Sequence, residues 1–306
     1  MSASRPLPRL GWLLLAAVSL FWGTNWVALK LSLNEIPVWQ YRAVTTTFSG
    51  LALLLFALLG GRSVRPPRDI WGALALGALF NVTGWQVLIA FGVQLIAANQ
   101  AAVLAYTMPI WSTILSAIFL RERVTVRLLA ALALAMAGIG VLLAPALHAL
   151  GESPLGIFLT LGGAVSWALG TLVQKRVVWP IPILAVAGWQ FLVGVVPIII
   201  VAIASERFVM QDASATALWA LVYSVALPLL FCQYAWFKVV SLFPASIASL
   251  GTVLVPVVGV LSGALVLGEP IGWREIAALL FVLAALILVL TTPAPARAQE
   301  AASSRS

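Results

Sequence analysis

The chain has 306 residues, of which 63% are hydrophobic and 8% are Asp, Glu, Lys or Arg. Soluble domains carry about 25% charged residues, so this chain has too little charge to cover a water-facing surface, and its mean hydropathy of +1.10 assigns it a lipid solvent. One cysteine, Cys232, and one histidine, His148, exclude an internal disulfide, a Cys-based metal site and a His-pair zinc site. The net charge of +8 would suit nucleic acid, but its distribution along the chain, described below, has a different cause.

Stretches free of Asp, Glu, Lys and Arg mark the candidate spans. In chain order they are Leu10–Leu29, Ala43–Gly61, Ile70–Leu120, Leu128–Gly151, Ser153–Gln174, Val177–Ser205, Ala213–Phe237, Val239–Gly268 and Ile276–Ala296. A membrane helix needs about 20 apolar residues. The 51 residues of Ile70–Leu120 would make one helix of about 77 Å, more than two bilayer cores, so they must fold back, with the turn at Gly92–Ala98. Ten membrane helices result. The first apolar run is too long for a signal peptide and lacks a cleavage site, so it is a retained helix. The tail 293–306, rich in Ala, Pro, Ser and Arg, is expected to be disordered and cytoplasmic.

Loop charge sets the orientation. With both termini in the cytoplasm, thirteen of the seventeen Lys and Arg residues fall inside. Lys30, Arg207 and Arg274 fall outside, and Arg42 lies within the outer end of helix 2. This asymmetry explains the basic balance without nucleic acid.

A shift of 147 residues superposes the two halves of the chain. Ala17-Val18-Ser19 falls on Ala164-Val165-Ser166, Gln86 on Gln233, Pro109 on Pro256 and Leu120-x-Glu122 on Leu267-x-Glu269. Trp39-Gln40-Tyr41 matches Trp189-Gln190-Phe191 at an offset of 150. The expected organisation is a first five-helix repeat over 1–147 and a second over 148–292. Five is odd, so the second repeat enters the membrane upside down. The fold class is therefore an all-α membrane protein of ten helices in two inverted repeats, an architecture that puts a solute site near the midplane.

Several polar and aromatic residues lie at membrane depth: Trp22 and Asn25 in helix 1, Asn81, Trp85 and Gln86 in helix 3, Tyr106 in helix 4, Trp167 in helix 6 and Gln233 in helix 8. An amide in hydrocarbon needs a partner. Two readings stand. The eight line a central cavity in which rings hold an apolar side chain and amides hold a carboxylate and an ammonium. Alternatively, the amides are glue between helices. Trp12, Trp39, Trp71, Trp179, Trp219 and Trp273 are expected as anchors at the membrane interface. Pro109 and Pro256 are candidate gate hinges or fixed kinks. Gly259-x-x-x-Gly263 permits close packing within the chain. Glu122 and Glu269 read as structural charges at helix ends, and His148 as a solvated bystander.

The Trp22-Gly23-Thr24-Asn25 stretch, the Ala101…Pro109…Leu120-Arg121-Glu122 stretch and its echo Ala248…Pro256…Gly268-Glu269 resemble the drug/metabolite transporter superfamily, EamA type, and within it the exporters of aromatic amino acids of the YddG type. The resemblance covers Leu10 to about Leu290. It implies a multi-pass monomer of a bacterial-type inner membrane, without metal or cofactor, that exports aromatic or bulky apolar amino acids by alternating access. A lipid or drug translocator would share the fold. A membrane-embedded enzyme would need a nucleophile with a base, a metal or paired carboxylates at depth, and the spans offer none of these. Facilitated transport without proton coupling is expected, because the centres of the helices hold no Asp, Glu, His or Lys.

Overall fold

The computed structural model describes residues 9–61, 63–119, 126–148, 154–205, 210–242 and 245–290. Arg5, Arg121, Glu122, Arg207 and the tail 293–306 lie outside the described residues. Within them the chain is helical and holds no strand. The helices are α1 (Arg9–Leu33), α2 (Val38–Leu59), α3 (Trp71–Ala78), α4 (Trp85–Leu95), α5 (Ala98–Ala105), α6 (Met108–Phe119), α7 (Val126–His148), α8 (Pro154–Arg176), α9 (Ile183–Ser205), α10 (Ala215–Ser224), α11 (Cys232–Leu242), α12 (Ala245–Leu267) and α13 (Trp273–Leu290). Seven helical runs among the described residues are long and apolar enough to cross a membrane, among them the composite rods Arg68–Leu95, Ala98–Phe119 and Ala215–Trp236. Leu129–Leu142 and Leu254–Leu267 are shorter apolar helices. The expected fold-back in 70–120 occurs at Ile96-Ala97, inside the predicted turn.

Two of the long rods contain a π-helical segment. One, Leu79–Gly84, joins α3 to α4, and the other, Val225–Phe231, joins α10 to α11. The offset of 147 residues carries the first onto the second, with Asn81 falling on Pro228. A wide turn leaves backbone carbonyls without their usual i+4 partner, and Pro228 adds to this by having no N–H. Each segment passes a carbonyl to a donor from the first long helix of the other half. The Trp22 indole N–H of α1 donates to the Pro228 carbonyl at 3.1 Å. The Ser166 hydroxyl of α8 donates to the Phe80 carbonyl at 2.8 Å.

The packing has the same exchange symmetry. α1 lies against α10 and α11, and α8 lies against α3 and α4. Three helices pack on their own repeat counterparts, namely α2 on α9, α5 on α12 and α7 on α13. These pairs are antiparallel. Gly50 faces Phe191 and Leu192 while Gly188 faces Leu54, and Ala102 faces Gly259 while Asn99 faces Gly263. The small-residue spacing of Gly259 and Gly263 therefore serves packing inside the chain.

Lipid offers no hydrogen bonds, and several buried hydroxyls turn back on their own helix. Ser19 donates to the Leu15 carbonyl at 2.9 Å, Thr45 to Tyr41 at 2.8 Å, Ser49 to Thr45 at 2.7 Å and Thr160 to Gly156 at 2.8 Å. Trp12, Trp71, Trp219 and Trp273 are exposed, as interface anchors require, whereas Trp39 and Trp179 are half-buried. The two prolines expected to break helices differ. Pro109 stands in the first turn of α6, just after an interruption at Tyr106-Thr107, while Pro256 lies inside the continuous α12. A proline ring clashes with the carbonyl four residues back, here Ala105, and α5 ends at that residue.

Outside the spans, Glu35 ties the α1–α2 turn to α10. Its carboxylate accepts the Ser214 backbone N–H at 2.6 Å and the Ser214 hydroxyl at 2.7 Å. Ser214 in turn accepts the Ala217 N–H and caps α10. These bonds, the side-chain one first, hold the Glu35 carboxyl below its usual range. The folded pKa lies below the unfolded one, so the contribution is complete above the unfolded pKa and disappears as pH falls through the folded value. Glu35→Gln is therefore expected to lower thermal stability at neutral pH, with the deficit closing in acid. A pH series of melting temperatures for both proteins checks this, and a deficit that persists unchanged in acid would contradict it.

Candidate functional site

The eight residues singled out from the sequence separate into two groups on either side of the molecule's pseudosymmetry. The first lies where α3–α4 meets α8. Trp85 opens α4 directly after the π-helical segment, and its ring stacks on Trp167 of α8 with centroids 5.2 Å apart and planes tilted by 59°. Asn81, inside the segment, sits over Gly170, where any Cβ would overlap its side-chain oxygen. Gly170 is thus small because the amide occupies that space. Gln86, the residue after Trp85, is buried.

The second group lies where α1 meets α10–α11. Trp22, tied to the Pro228 carbonyl, stacks on Trp236 with centroids 5.7 Å apart. Asn25 is one turn further along α1. Trp22, Trp85 and Tyr106 all pack against one apolar cluster built from α1, α4 and α5, and this cluster links the two groups. Gln233 is half-buried in α11. No hydrogen bond or ring contact joins Gln86 or Gln233 to the other six among the described residues. Trp236 was missed in the sequence reading, although its spacing of three from Gln233 puts it on the same helical face.

Some amides are glue. Gln174 donates to the Gln190 side chain at 3.2 Å, Asn99 to the Pro270 carbonyl at 3.2 Å and Gln100 to Glu275 at 3.2 Å. The side-chain oxygens of Asn25 and Asn81 are buried with no hydrogen-bond partner, as are those of Asn99 and Gln174, whose amide nitrogens alone are engaged. Buried polar atoms are nearly always paired.

Charges close one end of the bundle. Glu269, just beyond α12, accepts the backbone N–H of Ala98 at 2.6 Å and of Asn99 at 2.9 Å, and so caps α5 with a carboxylate at its positive end. Lys30, in the last turn of α1, donates to the carbonyls of Val93 and, at 2.7 Å, Ile96, at the negative end of α4. The α4–α5 turn is clipped from both sides, and Glu269 has the structural role that its position at a helix end suggested. Lys30, expected in an outer loop, is half-buried inside α1.

Arg42, expected at the rim of helix 2, is 5% exposed. The burial follows from packing on both of its flanks, because α2 lies along α9 and against α4 and the Val225–Phe231 segment. A crevice of about 780 Å³ opens between α1, α10 and α12, lined by Leu20, Thr24, Leu31, Trp219 and Tyr223 among others. None of the eight sequence candidates lines it. Thr24 and Tyr223 join their hydroxyls across it.

The EamA-like transporter family model matches residues 9–144 and again 154–291. The chain belongs to the EamA-like transporter family. It is a membrane transporter by that membership, and the doubled match reproduces the two repeats. Among relatives, the uncharacterized transporter YvbV of Bacillus subtilis is 27% identical over 95% of this chain and 94% of its own. The uncharacterized inner membrane transporter YedA of Escherichia coli is 26% identical over 90% and 89%. A probable amino-acid metabolite efflux pump of Salmonella typhimurium is 26% identical over 89% and 91%. A solved crystal structure shares the fold, with a TM-score of 0.65 at 20% identity over 91% of this chain and 95% of that one.

Proposed function

We propose that the chain is a secondary transporter that exports aromatic or other bulky apolar amino acids by alternating access. In this reading ten spans form two inverted repeats over 1–147 and 148–292, both termini are cytoplasmic, and the transporter acts as a monomer and not as an enzyme. The antiparallel packing of α2 on α9, α5 on α12 and α7 on α13 supports the inversion, because repeat counterparts that run in opposite directions are what an odd number of crossings per half requires.

The observation that carries the substrate class is the pair of unpartnered acceptors, the Asn25 and Asn81 oxygens, beside the Trp85–Trp167 and Trp22–Trp236 ring pairs. An ammonium group donates to such oxygens, and indole faces hold an aromatic or branched side chain. The printed name of the Salmonella relative is in keeping with this substrate class. The interruption at Tyr106-Thr107 before Pro109, set against the continuous helix through Pro256, fits two halves held in different states, with the two prolines as hinges.

Reconstitution with a panel of solutes tests the proposal. Tryptophan, phenylalanine and leucine are expected to enter liposomes down their own gradients with no ion gradient imposed. Trp85→Ala or Trp167→Ala is expected to reduce this flux about tenfold per folded molecule, by removing one aromatic contact of about 1 kcal/mol and its buried area. Movement of sugars, nucleotides or lipids with no amino acid flux would reject the substrate class. Concentrative uptake that needs a pH gradient and stops with a protonophore would reject the uncoupled mechanism. The apolar crevice between α1, α10 and α12 favours a second reading, translocation of a lipid or drug, and the same panel discriminates it.

A further inference from the structure

Arg42 is a full positive charge within a membrane helix. It is the fifth residue of α2, about 6 Å along the axis from the helix's first residue. Its guanidinium stands over the neighbouring Tyr41 ring at 5.3 Å, and its Nε is buried without a hydrogen-bond partner. The acidic residues among the described part of the chain are engaged or exposed elsewhere. Glu35 holds Ser214, Glu269 holds Ala98 and Asn99, and Glu275 holds Gln100 and the Gly272 N–H. Asp69 and Asp212 sit exposed in short 3-10 turns.

Arg42 is also not isolated among polar groups. One helical turn on, the Thr46 hydroxyl is buried without a partner, and the Ser224 hydroxyl of α10 is likewise buried and unpartnered. Ser224 is the last residue of α10, where the π-helical segment begins. A buried cation with no counter-charge among the described residues is costly, and proteins keep one where an anion comes to it.

We propose that Arg42 is the carboxylate-binding residue of the transporter, its planar fork taking both oxygens of the solute's carboxylate as the two access states exchange. This rests on the amino acid reading above and deepens it. The guanidinium matches a carboxylate bidentately, which an ammonium cannot do, and in a low-dielectric site that match selects carboxylated solutes over their neutral analogues.

The test uses the full-length protein in proteoliposomes with phenylalanine, phenylalanine amide and phenylacetate as probes. Arg42→Gln is expected to raise the KM for phenylalanine about 10- to 100-fold, with less than about a threefold change for the amide. Where that variant does not fold, Arg42→Lys keeps the charge but loses the fork, and a rise of about tenfold for phenylalanine alone is expected. In the wild type, phenylalanine should raise the melting temperature and the amide should not. Equal changes for both probes, or wild-type phenylalanine kinetics in either variant, would overturn the assignment in favour of a structural arginine. If the wild type carries phenylacetate but no amino acid, and Arg42→Gln abolishes it, the arginine assignment holds and the amino acid reading fails. If no carboxylated probe is bound or carried, both fail.

Discussion

Glu269→Ala is expected to be among the most damaging single substitutions in the chain, at about 2–3 kcal/mol of stability. The carboxylate satisfies two backbone N–H groups at the start of α5, at 2.6 and 2.9 Å, which have no carbonyl partner at a helix N-terminus. Ala98 and Asn99 are buried, so water is poorly placed to replace it. The loss also removes a negative charge that acts on Lys30, whose ammonium holds the other side of the same turn. Glu269→Gln keeps an acceptor oxygen and should recover part of the loss. Lys30→Met should cost less alone, and the double variant less than the sum, because both act on residues 93–99. Melting curves of the purified proteins measure this. A Glu269→Ala protein that melts with the wild type would mean that the clip contributes nothing.

Gly23→Val is expected to cost about 1–3 kcal/mol by overpacking. A Cβ at Gly23 would lie 2.5 Å from Val258 Cβ and Cγ1 and 3.0 Å from the Val255 carbonyl. The obstacle includes backbone and the base of a branched side chain, which cannot swing away. Small residues let membrane helices approach in this manner, and here they let α1 reach α12 across the two halves. Adding Val258→Gly should restore part of the lost stability, while the same glycine in the wild-type background should not raise it. Equal folded yields and melting temperatures for Gly23→Val and wild type would show that the α1–α12 contact gives way freely.

Much of this architecture is legible without coordinates. Membrane solvent follows from the scarcity of charge, and helices follow from membrane solvent, because an unpaired backbone group in hydrocarbon is too costly for other open structures. The duplication is visible because polar and proline matches at one offset, Gln86 with Gln233 and Pro109 with Pro256, do not arise from apolar composition. The pairing of Trp85 with Trp167 could only be expected as membership of one cavity, and which rings touch is set by the packing of α4 on α8.

What tertiary structure alone decided is where backbone and charge depart from the simple pattern. Leu79–Gly84 reads as one more stretch of ordinary membrane helix, yet it is π-helical, and its Phe80 carbonyl is bonded by Ser166, 86 residues away. Arg42 reads as a cation close enough to a helix end to reach water. Helices packed on both of its flanks bury it instead. Glu269 reads as the edge of a span, and its partners are 171 and 170 residues earlier. In each case the sequence by itself determined the residue type and its depth. The partner was decided by which helix lies alongside, a long-range property of packing that no local pattern of hydrophobic and polar residues encodes.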